Sequence, residues 1–449
     1  MTRFVQSDRS QPFLMPPDLR DWVPKDDLAH FIVEAVARVG LDKFAINTKG
    51  TGSEQYHPLM MMALIVYCYS NGIFASRRIE KATYRDVVVR FITANTHPDH
   101  DTICKFRREN FSAIEEAFTQ VLELANELKI LKVGTVSVDG TKIDANANKH
   151  KSIRYDRATE LRAQLKLEVA ELMKKAECAD ASGEADTQTL PTEIARREDL
   201  LAKMEGACQR LEEQARLRAE RERAEYEKKK QDHDDRGGSG RPPSAPSDVP
   251  RPDEQTNLVD PDSRIMRKNK QAEYRQAYNA QAAVDADGSM LILAAPVSQC
   301  ASDANELVPT IDAIPATIGQ PSTVLADTGY ANGDEIAEVE RRGIEALVAI
   351  AAPERRLHDF RPTPPEKPKP EIKAEWRKKM KTALESPAGR AKYAKRKQTV
   401  EPVFGIIKHA MKFRQFLLRG IDKVRGEWKL VALAYNCRRL HTLVRAGTG

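Results

Sequence analysis

Over residues 20–130 the apolar positions recur at intervals of three and four, the period of a helix with one buried face. Leu28, Phe31, Ile32, Ala35, Val36 and Val39 form the first set, with Asp26 or Asp27 as N-cap and Gly40 as the stop. Pro58 opens a second helix at its first turn and Gly72 closes it. Its run Leu59–Tyr69 is apolar all round, which predicts a buried core helix; a bilayer span takes ~20 apolar residues. Ser76 is placed to cap a third helix, and Tyr84–Ala94 reads as a fourth. A long helix then runs from Asp101 or Thr102 to Ala125, with Ile103, Phe106, Ile114, Phe118, Val121 and Leu122 along one side.

At 133–143 the period changes to two: Val136 and Val138 alternate with Thr135, Ser137 and Asp139, which predicts a strand ending at Asp139-Gly140. From 156 to 230 the chain is strongly charged with a thin apolar seam. Leu161, Leu165, Val169 and Leu172 lie before a break at 180–191, and Leu200, Leu201, Met204, Cys208 and Leu211 after it. That pattern predicts a helical hairpin arm, followed by a Gly-, Pro-, Ser- and Asp-rich linker over 232–256. Beyond it Tyr278–Val284 and Met290–Pro296 read as strands joined by the turn Asp285-Ala-Asp-Gly288. Helix 305–314, strand 322–326, helix 334–342, strand 344–350 and helix 375–384 follow. A helix carrying Tyr393, Arg396, Glu401 and Lys408 and an amphipathic closing segment, 428–444, complete the chain.

Composition narrows the class without naming the chemistry. The chain has 449 residues, room for two or three cores, with 41% hydrophobic and 31% charged residues. Residues 1–17 hold no apolar stretch of signal-peptide length, and the pattern predicts a cytoplasmic protein with no membrane span. The six cysteines (68, 104, 178, 208, 300 and 437) include no CxxC pair, which argues against zinc and fits a reducing compartment. Lys and Arg outnumber Asp and Glu by 72 to 66, a net +6, so where the cations lie matters more than their sum. Arg77, Arg78, Lys105, Arg107 and Arg108 sit at predicted helix starts, as in helix-turn-helix-like DNA-binding domains; the same charges also suit the solvated face of a bundle. A second basic stretch, Arg264, Arg267, Lys268, Lys270 and Arg275, has Tyr274 and Tyr278 interleaved.

Three carboxylates carry the chemistry. Asp139 and Asp327 each end a predicted strand, and Glu401 sits on a later helix. Each could be a turn or helix-end residue on its own. Together, at the edge of one sheet, they are the arrangement of an RNase H-like nucleic-acid enzyme, which holds hard, oxygen-liganded Mg²⁺, or Mn²⁺ in its place. Asp144 rivals Asp139, but Asp139 follows the apolar alternation directly and precedes Gly140.

Val-Asp139-Gly-Thr, Ala-Asp327-Thr-Gly-Tyr and Tyr393…Arg396…Glu401…Lys408, in that order, resemble the DDE transposases of bacterial insertion sequences. Phe106-Arg107-Arg108 and Tyr435-Asn436-Cys437-Arg438-Arg439-Leu440 are also similar to that group. The resemblance implies a mixed α/β fold: an RNase H-like catalytic domain, an all-α N-terminal DNA-binding domain, and an inserted charged helical hairpin. The divisions would be 1–130, DNA binding; 131–150, first catalytic strand; 151–257, arm and linker; and 258–449, the rest of the catalytic domain. It implies Asp139, Asp327 and Glu401 as the metal-binding catalytic triad. Tyr393, Lys408 and either Arg396 or Lys397 would contact DNA phosphates; Arg396 lies one residue further from Glu401 than the family pattern, and Lys397 has the expected offset. The implied partners are double-stranded DNA, as terminal inverted repeats and target, and a second copy of the chain on that DNA. A nuclease that cuts without joining, or a DNA-binding protein without catalysis, are the alternatives.

Overall fold

The computed structural model describes residues 18–48, 54–182, 189–235, 242–267, 271–350 and 374–447. In chain order its helices and strands are α1 (Leu28–Val36), α2 (Pro58–Ser70), α3 (Ser76–Arg85), α4 (Val87–Ile92), α5 (His100–Glu109), α6 (Phe111–Glu127), β1 (Thr135–Asp144), β2 (Ser152–Arg154), α7 (Tyr155–Ser182) and α8 (Leu190–Asp235). Next come β3 (Gln255–Asn257), β4 (Arg264–Met266), β5 (Arg275–Asp285), β6 (Ile292–Ala294), β7 (Val297–Ser298), α9 (Leu307–Asp312), β8 (Thr323–Ala326), α10 (Gly333–Arg341) and β9 (Glu345–Val348). The chain closes with α11 (Glu375–Glu385), α12 (Pro387–Gly405) and α13 (Ile421–Gly447). No described helix is long and apolar enough to cross a membrane.

The chain forms two compact units: Met1–Ile143 with Asn279–Leu418 and Asp422–Gly449, and Asp144–Tyr278 with Arg419–Ile421. In the first, β1 lies between β5 and β8, and β9 flanks β8. β1, β8 and β9 are parallel, with α10 as the crossover from β8 to β9; β6 and β7 pair antiparallel with β5. This mixed α/β arrangement is compatible with an RNase H-like domain. α12 packs on β8 and α11 on β9. α13 is anchored from beneath, where Trp428 Nε1 donates to the Gln281 carbonyl (2.9 Å) and Asn436 bridges both backbone groups of Ile292. The N-terminal helices belong to the same unit, since Ser70 Oγ donates to the Ala434 carbonyl at 3.0 Å. α2 is buried from Met61 to Ser70, as its all-apolar run predicts.

Three helix boundaries differ from the periodicity. Asp86 caps α4 through the Val88 and Val89 amides, so 84–94 is two segments rather than one helix. The long helix from 101 breaks at Asn110, whose side chain accepts from Ala45 N (2.8 Å) and donates to the Phe106 carbonyl (2.8 Å). A buried amide that leaves the helix ladder for a distant strand of chain ends the helix there. Ser76 is the first residue of α3 rather than its cap.

In the second unit α7 and α8 lie against each other, and the pairs Tyr155–Glu212, Lys166–Glu205 and Glu168–Arg197 run in opposite directions along the two helices. Ala158 and Leu165 of α7 and Met204, Ala207, Cys208, Leu211 and Ala215 of α8 are buried. β2 and β3 form an antiparallel ribbon, and β4 pairs with the opening residues of β5. Tyr278, interleaved with the basic stretch and at the start of a predicted strand, is buried and donates to Asp260 Oδ1 at 2.9 Å. Arg264 donates to the carbonyls of Pro261 and Ser263, and Arg267 lies over the Tyr274 ring. Lys268 and Lys270 lie outside the described residues.

Candidate active site

The β1–β8 register, Thr135 with Thr323, Val136 with Val324 and Ser137 with Leu325, sets the site. Continued two residues further, it brings Asp139 level with Asp327 on the same face, because side chains alternate with a period of two. Each aspartate is turned by a local amide: Gly140 N donates to Asp139 Oδ1 (2.8 Å) and Gly329 N to Asp327 Oδ1 (2.8 Å).

α12 brings the third carboxylate. Ser386 caps it through Gly389 N, and Pro387 fits its first turn. Arg396, Val400, Val403 and Ile407 are spaced four, three and four apart and are all buried, so Arg396 lies on the stripe that faces the sheet. Lys397, one residue on, is exposed. The Arg396 guanidinium stands 3.0 Å from Asp139, 3.7 Å from Asp327 and 3.4 Å from Glu401. Tyr393 Oη donates to the Ala326 carbonyl (3.2 Å), which ties α12 to the residue before Asp327. Past Gly405 the helix widens into a π-turn, Ile406–Ala410, a local form common at functional sites. Lys408 in that turn donates to Thr141 Oγ1 and to the Lys142 carbonyl (3.3 Å), just beyond Asp139. Asp144 is paired with Arg275 instead (3.1 Å).

Burial raises the Asp139 pKa to about 6; Arg396 opposes the shift, and Asp327 and Asp303 add to it. Three carboxylates against one guanidinium leave two negative charges in excess. Among the described residues no group of three His, Cys, Asp or Glu is arranged to hold a metal ion, and the guanidinium lies among these carboxylates. In donor chemistry and charge the set fits a hard divalent cation, which takes carboxylate oxygens and removes that excess.

A polar platform beside Asp139 has no counterpart in the sequence reading. Asp303 Oδ1 accepts from Lys142 (3.2 Å), Asn279 (2.6 Å) and Gln281 (2.9 Å), and Tyr330 donates to Gln281 Oε1. Of these residues Tyr330 alone belongs to a motif, the Ala-Asp327-Thr-Gly-Tyr run; the others lie far apart in sequence, and only the alternation of Lys142 on β1 and of Asn279 and Gln281 on β5 hinted at a shared face. In the N-terminal helices Arg77, Arg78, Lys105 and Arg108 are exposed. Lys81 and Arg85, also exposed, follow Arg77 at four and eight residues, which puts the three on one helix face. Arg107 corrects the expectation of a phosphate contact. It is buried, donating to Tyr69 Oη (2.8 Å) and the Phe74 carbonyl (2.9 Å), because its position in α5 falls on the inward side with Ile103.

Two families match the chain: one described as a transposase DDE domain over residues 247–437, the other as a transposase domain, DUF772, over residues 17–109. No curated protein and no solved structure matches it.

Proposed function

Because the chain belongs to the DDE transposases of insertion sequences, we propose that it cuts DNA at the ends of its element and joins the freed 3′-hydroxyls to target DNA, using Asp139, Asp327 and Glu401. The observation that carries this reading is the sharing of one guanidinium by carboxylates from two adjacent parallel strands and a helix. Mg²⁺, or Mn²⁺ in its place, held by those three residues would supply Lewis-acid charge at the phosphoryl oxygens and favour ionisation of the attacking water.

The remaining roles fall to the protein's own cations and donors. Arg396, released from the carboxylates, and Lys408 are close enough to Asp139 to contact the phosphates beside the scissile bond. Tyr393 fixes α12 against β8, so Glu401 keeps its place relative to Asp327. Lys397 faces outward and contacts DNA further from the reacting phosphate. Arg77, Arg78, Lys105 and Arg108 bind the terminal inverted repeats, and Arg267, Lys268 and Lys270 add a second contact region. Phosphate contacts position the duplex and base contacts specify it. Two ends must meet for transposition, so the active form is a dimer on DNA, with α7 and α8 as the contact between copies. The protein works on the nucleoid in the bacterial cytoplasm.

The test is a strand-transfer assay with purified protein, Mg²⁺, a duplex carrying the repeats that flank the coding region, and a plasmid target. Cleavage at the repeat followed by joined product is expected. Cleaved ends that never join identify an RNase H-like nuclease. Binding with neither product identifies a DNA-binding protein without catalysis.

A further inference from the structure

Asp139 is followed by Gly140, and the space a side chain would need there is taken. A Cβ on Gly140 would overlap Gln281 Nε2 and sit 2.7 Å from Asp303 Oδ1 and 3.0 Å from Asn279 Oδ1. The backbone that carries Asp139 therefore rests on the platform, and the amide of that same glycine orients the Asp139 carboxylate. Asp303 organises the platform. Its Oδ1 gathers Lys142, Asn279 and Gln281 at 3.2, 2.6 and 2.9 Å.

The platform also reaches the second aspartate. Gln281 Oε1 accepts from the hydroxyl of Tyr330, which is wholly buried. Tyr330 closes the short turn that Asp327 caps, its amide donating to the Asp327 carbonyl at 3.2 Å. Gly329, whose amide orients Asp327, would place a Cβ 3.5 Å from Asp303 Oδ2. One side chain thus supports, through Gly140 on one side and through Gln281 and Tyr330 on the other, the two amides that aim both aspartates. Lys142, paired with Asp303, offers its carbonyl to Lys408, so the cation of the π-turn that follows α12 is held by the same assembly.

We infer that Asp303 is a positioning residue, which fixes the spacing of Asp139 and Asp327 for a divalent cation through Gln281 and Tyr330. The inference rests on the transposase reading above. It assigns Asp303 no contact with cation or DNA; the residue acts through the amides of Gly140 and Gly329. Groups one step removed from a metal's ligands typically change affinity or activity by about 10–100-fold when removed.

The experiment is calorimetric titration of the full-length, DNA-free protein with Mn²⁺, alongside cleavage kinetics. Asp303→Ala is expected to weaken Mn²⁺ binding about tenfold and to lower the cleavage kcat by a similar factor, with the KM for DNA unchanged. Tyr330→Phe removes one hydroxyl and no charge; it is expected to weaken Mn²⁺ binding about threefold, which a purely electrostatic role for Asp303 would not produce. Wild-type affinity in Tyr330→Phe, or a lowered melting temperature with unchanged Mn²⁺ affinity in Asp303→Ala, overturns the inference. If Asp303→Ala does not fold, Tyr330→Phe decides alone. Wild-type protein whose Mn²⁺ binding is indifferent to Asp139→Asn removes the metal-site reading itself, an outcome distinct from failure of the positioning role.

Discussion

Arg396 Nη2 lies 3.0 Å from Asp139 Oδ2, and both side chains are largely buried. A guanidinium in this place neutralises part of a carboxylate cluster that would otherwise repel itself at the sheet edge. Removal of Arg396 therefore exposes that repulsion. Arg396→Ala is expected to lose about 2 kcal/mol of stability in chelator, less than a fully buried pair because Asp327 and Glu401 are half exposed. Millimolar Mg²⁺ should restore more stability to the variant than it adds to the wild type. Melting temperatures with and without Mg²⁺ check this, and equal Mg²⁺ effects in the two proteins would count against it.

Asp139→Asn, Asp327→Asn and Glu401→Gln keep the shapes of the side chains and remove one charge each. Each is expected to lower end cleavage at least ~1,000-fold, about 4 kcal/mol of transition-state stabilisation. Binding to the repeats, read by gel shift, should stay within about twofold of wild type, since phosphate contacts dominate affinity. Cleavage surviving in any of the three refutes the assignment of that residue.

Arg107 and Arg108 are neighbours with opposite surroundings. Arg107 is buried against Tyr69 and Phe74, whereas Arg108 is exposed. Arg107→Ala should destabilise the protein by about 3 kcal/mol, because it strands buried acceptors. Arg108→Ala should change stability by no more than about 0.5 kcal/mol, yet reduce the salt slope of DNA binding by about 1. Denaturant midpoints and salt titrations separate the two, and a reversed pattern would place the inward arginine on DNA.

Glu427 gives a pH signature. It is fully buried, accepting from the Leu417 and Leu418 amides at 2.9 and 3.0 Å and from Tyr69 at 3.1 Å. Burial raises its pKa above the ordinary 4.5, against the opposing pull of Arg107 and these donors. A raised carboxyl pKa contributes stability that is fully present below the unfolded value and is lost as pH rises through the folded one. Glu427→Gln, which cannot ionise, should therefore gain on the wild type as pH rises from the acid side towards neutrality. Denaturation curves across that range test this; a pH-independent difference would show that the carboxyl does not titrate there.

Much of the outline was legible because local physics wrote it. Asp27 caps α1 through Ala29 N, and Gly72 ends the second helix at φ +75, where a side chain is strained. The turn after Asp285 carries Gly288 at φ +127, and strand 322–326 appears as β8. The departures came where a distant group outweighed the local period. Asn110 broke the predicted long helix for Ala45, and Arg107 turned inward to Tyr69.

By itself, the sequence put Asp327 at a strand end and Glu401 on a helix, since alternation, turn residues and helical spacing are properties of neighbours; it also read Asp139 as a strand end, whereas β1 runs on through Asp139 to Asp144. The choice of Arg396 over Lys397 as the inward cation needed the packed face of α12, and the levelling of Asp139 with Asp327 needed the β1–β8 pairing. Residues so far apart in the chain meet only through the pairing of strands, and no local period encodes that register. For the same reason Asp303, Gln281 and Tyr330 became visible as one assembly only in three dimensions.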